Sequence, residues 1–245
     1  MAEFVDNLKK LDIILDKEQE NAFERYYELL VEWNSFMNLT AITEHEEVLL
    51  KHFTDSLAVQ TVLQDKNCKI DLNLKDALKV MDVGTGAGFP GIPLKIAFPN
   101  LEVTLLDSLN NRIKFLNEVI QQLSLTNIQA IHGRAEDYAH QKEYREQFDV
   151  CVSRAVANLT VLCEYCLPYV AVGGYFISYK SGMIEEELEE SKRAIGILGG
   201  EIVAVHKITL PGSDIDRSFV VIRKVKKMAG KYPRKAGLPA KEPIH

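Results

Sequence analysis

An apolar run, Ala77-Leu78-Lys79-Val80-Met81-Asp82-Val83, leads straight into Gly84-Thr85-Gly86-Ala87-Gly88-Phe89-Pro90-Gly91. A strand that breaks into glycines and then enters a helical pattern is a βα turn of the kind that cradles a ligand. Glycine is needed there because the backbone must take positive φ or let a ligand come within contact distance. The following helix, 92–97, offers free N–H groups and the positive end of its dipole.

The rest of the chain continues this alternation. Strands are predicted at 102–107, 128–132, 148–153 and 174–179, with helices at 112–123, 159–170 and 185–198. Such spacing implies parallel βαβ units and a doubly wound α/β sheet of Rossmann-like type. The last two strands, 202–208 and 219–225, have only Pro211-Gly212-Ser213-Asp214 and short flanks between them, so they should be antiparallel neighbours. Ahead of the sheet the chain reads as helical. Phe23, Tyr26, Tyr27, Leu30, Val31 and Asn34 mark one face of a helix over 17–36. Thr43 and Glu46 have the spacing of a capping box for a second helix that carries Val48, Leu49, His52 and Phe53. The expected organisation is a helical extension (1–70), an α/β domain (71–228) and a basic tail (229–245).

Composition narrows the function classes. With 47% hydrophobic and 26% charged residues, the chain is an ordinary globular protein. No apolar run reaches the roughly 20 residues that span a bilayer, and the N-terminus lacks the pattern of a secretion signal, so a cytoplasmic location and no membrane partner are expected. The four cysteines, Cys68, Cys151, Cys163 and Cys166, read as reduced packing residues. Cys163 and Cys166 form a lone C-x-x-C with no second pair, so no metal site is expected. A net charge of −6 argues against a generic nucleic-acid coat. Yet from Arg223 to Lys241 there are eight basic residues and no acid, which reads either as a solvated tail or as a phosphate-contacting segment.

The glycine turn has a readable register. Gly86, Gly88 and Gly91 match G-x-G-x-x-G, but a dinucleotide fingerprint should begin directly after the strand. In that register the turn is G-x-G-x-G from Gly84, with Phe89 at the place of the third dinucleotide glycine. Phe89-Pro90 would crowd a pyrophosphate, so a cofactor without phosphates, a sulfonium nucleoside amino acid, suits the turn better than NAD. Asp107, at the end of the second strand, is placed to accept hydrogen bonds from ribose hydroxyls; capping the next helix is its alternative role. Gly133-Arg134-Ala135-Glu136-Asp137 follows the third strand, where it can hold an adenine amino group. Arg154 follows the fourth strand at the cleft mouth, suited to a methionine carboxylate or an RNA phosphate.

Several further segments occur in a distinctive order. They are Trp33-Asn34, Asn38-Leu39-Thr40-Ala41-Ile42, His52-Phe53-Thr54-Asp55-Ser56-Leu57, the glycine turn through Pro93, Asp107-Ser108-Leu109-Asn110-Asn111-Arg112, Gly133-Arg134-Ala135-Glu136, Ser153-Arg154-Ala155-Val156-Ala157, and Lys231-Tyr232-Pro233-Arg234-Lys235-Ala236-Gly237 with Pro239. Together they resemble the bacterial glucose-inhibited division protein B family, the small-subunit rRNA guanine-N7 methyltransferases, along nearly the whole chain.

The resemblance implies a class I methyltransferase sheet of seven strands and S-adenosylmethionine as cofactor. It implies cofactor contacts at Gly84, Phe89, Ala135, Glu136 and Arg154, with Asp107 at the ribose and Gly86 and Gly88 shaping the turn. The implied substrate is one guanine of 16S rRNA, near position 527 of the usual numbering, in the small ribosomal subunit or its precursor; the chain is expected to act as a monomer. N7 of guanine carries no proton, so no general base is expected. Asp55 or Ser56 would support the developing positive charge, His52 would hold the base or a phosphate, and Lys180, Arg217, Lys231, Arg234 and Lys235 would contact the RNA backbone. An NAD-dependent oxidoreductase and a non-catalytic nucleotide-binding module are the alternatives. The former would need an acid such as a Tyr-Lys pair, but Tyr179 and Lys180 are adjacent on a strand and point to opposite faces.

Overall fold

The computed structural model describes residues 1–68, 70–154 and 157–244. Its centre is a seven-stranded sheet: β1 (Lys79–Val83), β2 (Glu102–Asp107), β3 (Ile128–His132), β4 (Phe148–Arg154), β5 (Val170–Ser181), β6 (Gly200–Thr209) and β7 (Asp216–Lys224). The order is β3-β2-β1-β4-β5-β7-β6. β1 to β5 pair in parallel, and β7 enters antiparallel between β5 and β6. The order in which successive strands are added reverses between β1 and β4, with β2 and β3 on one side and β4 and β5 on the other, which makes the crevice above their carboxyl ends the natural ligand position. β1 and β2 are buried along nearly their whole lengths, as central parallel strands must be, whereas the edge strand β6 is half-exposed throughout.

Two hydrophobic layers cover the sheet. On one face lie α1 (Ala2–Lys10), α2 (Lys17–Met37), α3 (His45–Val48), α4 (Asp55–Leu57), α5 (Gln60–Gln64), α6 (Gly91–Ala97) and α7 (Asn110–Gln122). On the other lie α8 (Ala135–Tyr138), α9 (Leu159–Cys166) and α10 (Glu185–Ile197). A short α11 (Leu238–Lys241) closes the chain. The N-terminal helices share one continuous core with the sheet: Phe23 and Tyr26 of α2 meet Phe53, and Tyr26 also meets Phe89 after the glycine turn.

Most predicted elements match in type, and the differences have local causes. Asp16 starts α2 through a reciprocal capping box with Gln19. The fully buried face of α2 is Phe23, Tyr26, Leu29 and Leu30; Tyr27, Val31 and Asn34 lie at its half-buried margin. The predicted Thr43–Glu46 box does not form. Glu44 is extended and caps α3 by accepting the Glu47 N–H at 3.0 Å, while the Thr43 carbonyl accepts from Tyr27. The helix predicted over 159–170 ends at Cys166, because Pro168 has no N–H to continue it, and β5 then begins at Val170. Between α3 and α4 the chain passes through a π-helical turn, Leu49–Thr54, which the apolar spacing did not reveal.

Candidate active site

The glycine turn leaves β1 by hugging β2, with Gly84 and Thr85 N–H groups both donating to the Leu106 carbonyl. Gly84, Gly86 and Gly88 all take positive φ (70°, 63° and 100°). At Gly86 an added Cβ would meet no atom within 4 Å, so the turn faces open space there. At Gly91 it would sit 2.3 Å from Leu105 and 2.8 Å from Asp82, so that glycine lets α6 close onto the sheet. Beneath the turn Asp82 is wholly buried. Its Oδ2 accepts from Thr85 Oγ1 at 2.6 Å and from the Gly91 N–H at 2.8 Å, and its Oδ1 is without a partner among the described residues. Burial pushes its carboxyl up to about 6, against the pull of those two donors.

Asp107 lies where the sequence puts it, at the end of β2. Its Oδ2 accepts from the Gly86 N–H at 2.9 Å and from Arg112 Nη1 at 3.1 Å, and its Oδ1 from the Leu109 N–H at 2.9 Å. It therefore ties the glycine turn to the start of α7, which includes the helix-entry role weighed against ribose binding. Ala135 and Glu136 open α8, after β3. The Ala135 carbonyl accepts from Tyr169, and the buried Glu136 carboxylate accepts the Gly237 N–H at 2.7 Å.

Beside the turn, above β4, β5 and β7, lies a cleft of about 1120 Å³. His52, Asp55, Arg154, Lys180 and Arg217 all line it. Asp55, buried at the start of α4, receives Arg154 Nη1 at 2.9 Å on one oxygen and Arg217 Nε at 2.8 Å on the other. Two guanidiniums on one carboxylate leave the cluster with a net positive charge. Phe89 forms its floor, with the His52 ring stacked at 4.5 Å and the Arg154 guanidinium 4.9 Å from its centroid. Phe89 thus stands between the turn and the cleft.

His52 projects here from the π-helical turn. Its Nε2 lies 2.8 Å from Thr40 Oγ1 and its Nδ1 3.4 Å from Arg154 Nη2. Burial, reinforced by the Arg154 charge, holds its pKa down at about 4, so the ring is neutral near pH 7. Arg154 donating to Nδ1 requires the proton on Nε2, which then donates to Thr40. The Thr40 N–H in turn donates to Asn34 Oδ1 at 2.9 Å. Asn34, Thr40, His52, Arg154, Asp55 and Arg217, scattered over the sequence, form one hydrogen-bonded network.

The other expected residues are placed differently. Ser56 is fully buried and its hydroxyl donates to the His52 carbonyl within the helix, so it does not face the cleft. Lys180 donates to the Ala157 carbonyl at 2.8 Å and pairs with Glu187 at 2.5 Å. Tyr179 instead donates to the Ser56 carbonyl, so the two neighbours point apart as their strand position requires. Arg234 turns inward: its backbone N–H and guanidinium all bond the buried Glu164 carboxylate, at 2.7 to 3.2 Å. The expected phosphate contact is therefore replaced by an internal ion pair, since Glu164 would otherwise be a buried charge without a partner. Lys231 and Lys235 remain exposed, away from the cleft. Ala155 and Val156 lie outside the described residues. Spacing alone had not signalled Thr40, Tyr26 or Asp82: Tyr26 donates to the Ala87 carbonyl and so fixes the turn from α2.

The fold has counterparts of low identity. TrmN from Thermus thermophilus superposes with a TM-score of 0.51 at 15% identity, over 72% of this chain and 53% of that one. A putative sarcosine dimethylglycine methyltransferase from Galdieria sulphuraria gives 0.53 at 12% identity, over 76% and 89%. These similarities extend to the fold. The sequence comparisons go further. A ribosomal RNA small subunit methyltransferase G of Lachnoclostridium phytofermentans is 53% identical over 241 residues, 98% of this chain and 96% of that protein. The protein of the same name from Desulforamulus reducens is 53% identical over 236 residues, 96% and 95% of the two chains. The GidB family model, described as rRNA small subunit methyltransferase G, matches residues 19–219. With that match over most of its length and relatives at half identity from end to end, the chain belongs to the rRNA small subunit methyltransferase G family and is an rRNA methyltransferase.

Proposed function

We propose that the chain uses S-adenosylmethionine to methylate N7 of one guanine in 16S rRNA, in the small ribosomal subunit or its precursor, acting as a cytoplasmic monomer. The observation that carries this reading is a glycine turn, open at Gly86, beside a cleft whose wall carries the net-positive Arg154–Asp55–Arg217 cluster, with Glu185, Glu186, Glu187 and Glu190 elsewhere in its lining. The residues fit the cofactor: Asp82 Oδ1 under the turn, without a partner among the described residues, suits an ammonium or a water bridging to one. Gly84, Gly86, Gly88 and Phe89 would hold its amino-acid part, Asp107 its ribose, the Ala135–Glu136 loop its adenine, and Arg154 its carboxylate. S-adenosylmethionine supplies a methyl group on a sulfonium, an electrophile that a neutral lone pair can attack directly.

The cleft residues suit an acceptor that has no proton to lose. His52 is a poor base, with both nitrogens engaged and its pKa held at about 4. Asp55 is occupied by two guanidiniums. Rate acceleration then rests on in-line positioning of N7 against the methyl group. Asp55 also offsets part of the Arg154 charge, which would otherwise repel a sulfonium. In an A-form helix the N7 edge lies in a groove that side chains do not enter, so the target guanine must sit in a loop or be flipped out. Arg217 and the exposed Lys231 and Lys235 would steer the backbone.

The test is labelled methyl transfer to unmodified 16S rRNA and to small subunits, followed by chain cleavage specific for N7-methylguanine. One strong cleavage site is expected. Absence of label in both substrates, or label at another purine atom, would overturn the reading.

A further inference from the structure

A second cluster of chemistry-bearing side chains lies away from the cleft. Asp65, Cys68 and His206 bring one carboxylate oxygen, one thiol sulfur and one imidazole nitrogen within 4.8 Å of one another. None of the three lines the cleft. The first two come from a tight turn: Asp65 ends α5, its Oδ1 accepts the Asn67 N–H at 2.9 Å, and the 3₁₀ turn Lys66–Cys68 swings Cys68 back beside it. His206 comes from β6, the edge strand of the sheet, against which this turn packs.

The turn directs Asp65 Oδ2 toward His206 Nδ1, 3.1 Å away, and the Cys68 thiol hydrogen-bonds the same carboxylate, so the three donor groups converge on one point. Cys68 is only 6% exposed. The imidazole nitrogen that faces the other two donors is Nδ1, while Nε2 is buried on the far side of the ring without a partner among the described residues. We infer that Asp65, Cys68 and His206 form a zinc site that clasps the 65–68 turn to the sheet edge.

The donor set selects the ion. Hard cations such as calcium and magnesium take oxygen shells, whereas sulfur, nitrogen and oxygen together suit a borderline-soft ion in tetrahedral geometry. Zinc bonds such donors at about 2.0–2.3 Å, which needs neighbouring donors to stand a few ångströms apart, as they do here. Three protein donors leave a fourth position for water. The thiol gives up its proton to solvent when the ion binds. The cluster escapes a reading of spacing motifs because its third donor arrives from a distant strand, while the C-x-x-C pair that spacing does flag, Cys163 and Cys166, lies on α9 with both thiols buried in the core.

The tag-free full-length protein, stripped with chelator, tests this with cobalt as a spectroscopic stand-in and with zinc. One equivalent of cobalt should give a thiolate charge-transfer band and the intense visible bands of a tetrahedral site. Zinc should displace it, and zinc at 100 times its Kd should raise the melting temperature by about 5 °C or more. Cys68→Ser should abolish the charge-transfer band, and His206→Asn should weaken metal binding at least tenfold. If Cys68→Ser does not fold, His206→Asn and Asp65→Asn carry the test. No charge-transfer band in the parent protein, a band that survives Cys68→Ser, or zinc stabilisation unchanged by His206→Asn would overturn the inference.

Discussion

Asp55 Oδ2 and Arg154 Nη1 lie 2.9 Å apart in the wall of the cleft, and both side chains are largely withdrawn from water. The second oxygen of the same carboxylate takes Arg217. Removing a buried carboxylate that neutralises guanidiniums leaves charge without compensation, at a cost of about 3–5 kcal/mol. Asp55→Ala should therefore lower stability by roughly 3 kcal/mol in urea unfolding. It should also lower kcat/KM for methyl transfer at least tenfold, because Arg154 loses the contact that orients it over Phe89. Full activity in a correctly folded variant would remove Asp55 from the machinery.

His52 makes the site acid-sensitive. Its pKa is about 4 in the folded chain, against an ordinary value of 6.5 in the unfolded one. Between those values the unfolded chain binds a proton that the folded chain does not, so stability rises with pH through this window and falls as pH drops from 6.5 toward 4. His52→Gln should flatten that slope. Urea midpoints of parent and variant, measured at intervals from pH 4 to pH 7.5, should converge at the acid end.

Asp82 has the opposite sign. Its carboxyl titrates at about 6 in the fold, above its ordinary 3.8. Over that interval the folded chain holds a proton that the unfolded chain has lost, so this group's contribution to stability falls as pH rises. Asp82→Asn keeps an acceptor for Thr85 and Gly91 while removing the charge. Its stability relative to the parent should improve by about 3 kcal/mol between pH 4 and pH 8. S-adenosylmethionine affinity, measured by calorimetry at pH 8, should fall, because the free Oδ1 is then an amide group.

The βα alternation, the register of the glycine turn and the acid at the end of β2 could be read from the sequence because they depend on local backbone chemistry. Gly84, Gly86 and Asp107 lie where their residue types demand. The cleft was only partly legible. Arg154 was placed at its mouth by the end of β4, but its pairing with Asp55 depends on packing α4 against the sheet across 99 positions of sequence. Nothing in the local pattern marked the π-helical turn that aims His52, or Thr40 as its partner. Arg234 misled for a related reason. A basic residue in a basic run looks solvated until the fold presents Glu164, buried on α9, as its counter-charge.

Gly86 and Gly91 should respond differently to a methyl group. Gly91→Ala forces a Cβ against Leu105 and Asp82, and a poorly folded protein is expected. Gly86→Ala meets no protein atom, so it should cost only about 1–2 kcal/mol for placing an L-residue at φ 63°. Its methyl group projects into the space assigned to the cofactor. The Kd for S-adenosylmethionine should rise at least tenfold while thermal unfolding shifts by a few degrees; unchanged affinity would move the cofactor elsewhere.

The basic tail separates into two kinds of residue, and salt dependence distinguishes them. Lys231 and Lys235 are exposed, whereas Arg234 is locked onto Glu164. Each phosphate contact by a lysine releases about 0.7–0.9 of a counterion, so Lys231→Gln with Lys235→Gln should reduce the salt slope of binding to a 16S rRNA fragment by about 1.5. Stability should hardly change, since neither lysine makes an internal ion pair among the described residues. Arg234→Gln should do the reverse. It strands the buried Glu164 and lowers stability by about 3 kcal/mol, with little change in the salt slope while the protein stays folded. Its backbone N–H also bonds Glu164, and Gly237 just beyond bonds Glu136, so loosening the tail should also weaken cofactor binding through the loop after β3. A parallel loss of S-adenosylmethionine affinity in Arg234→Gln, absent from the double lysine variant, would establish the tail as a strap on the cofactor loop as well as an RNA contact.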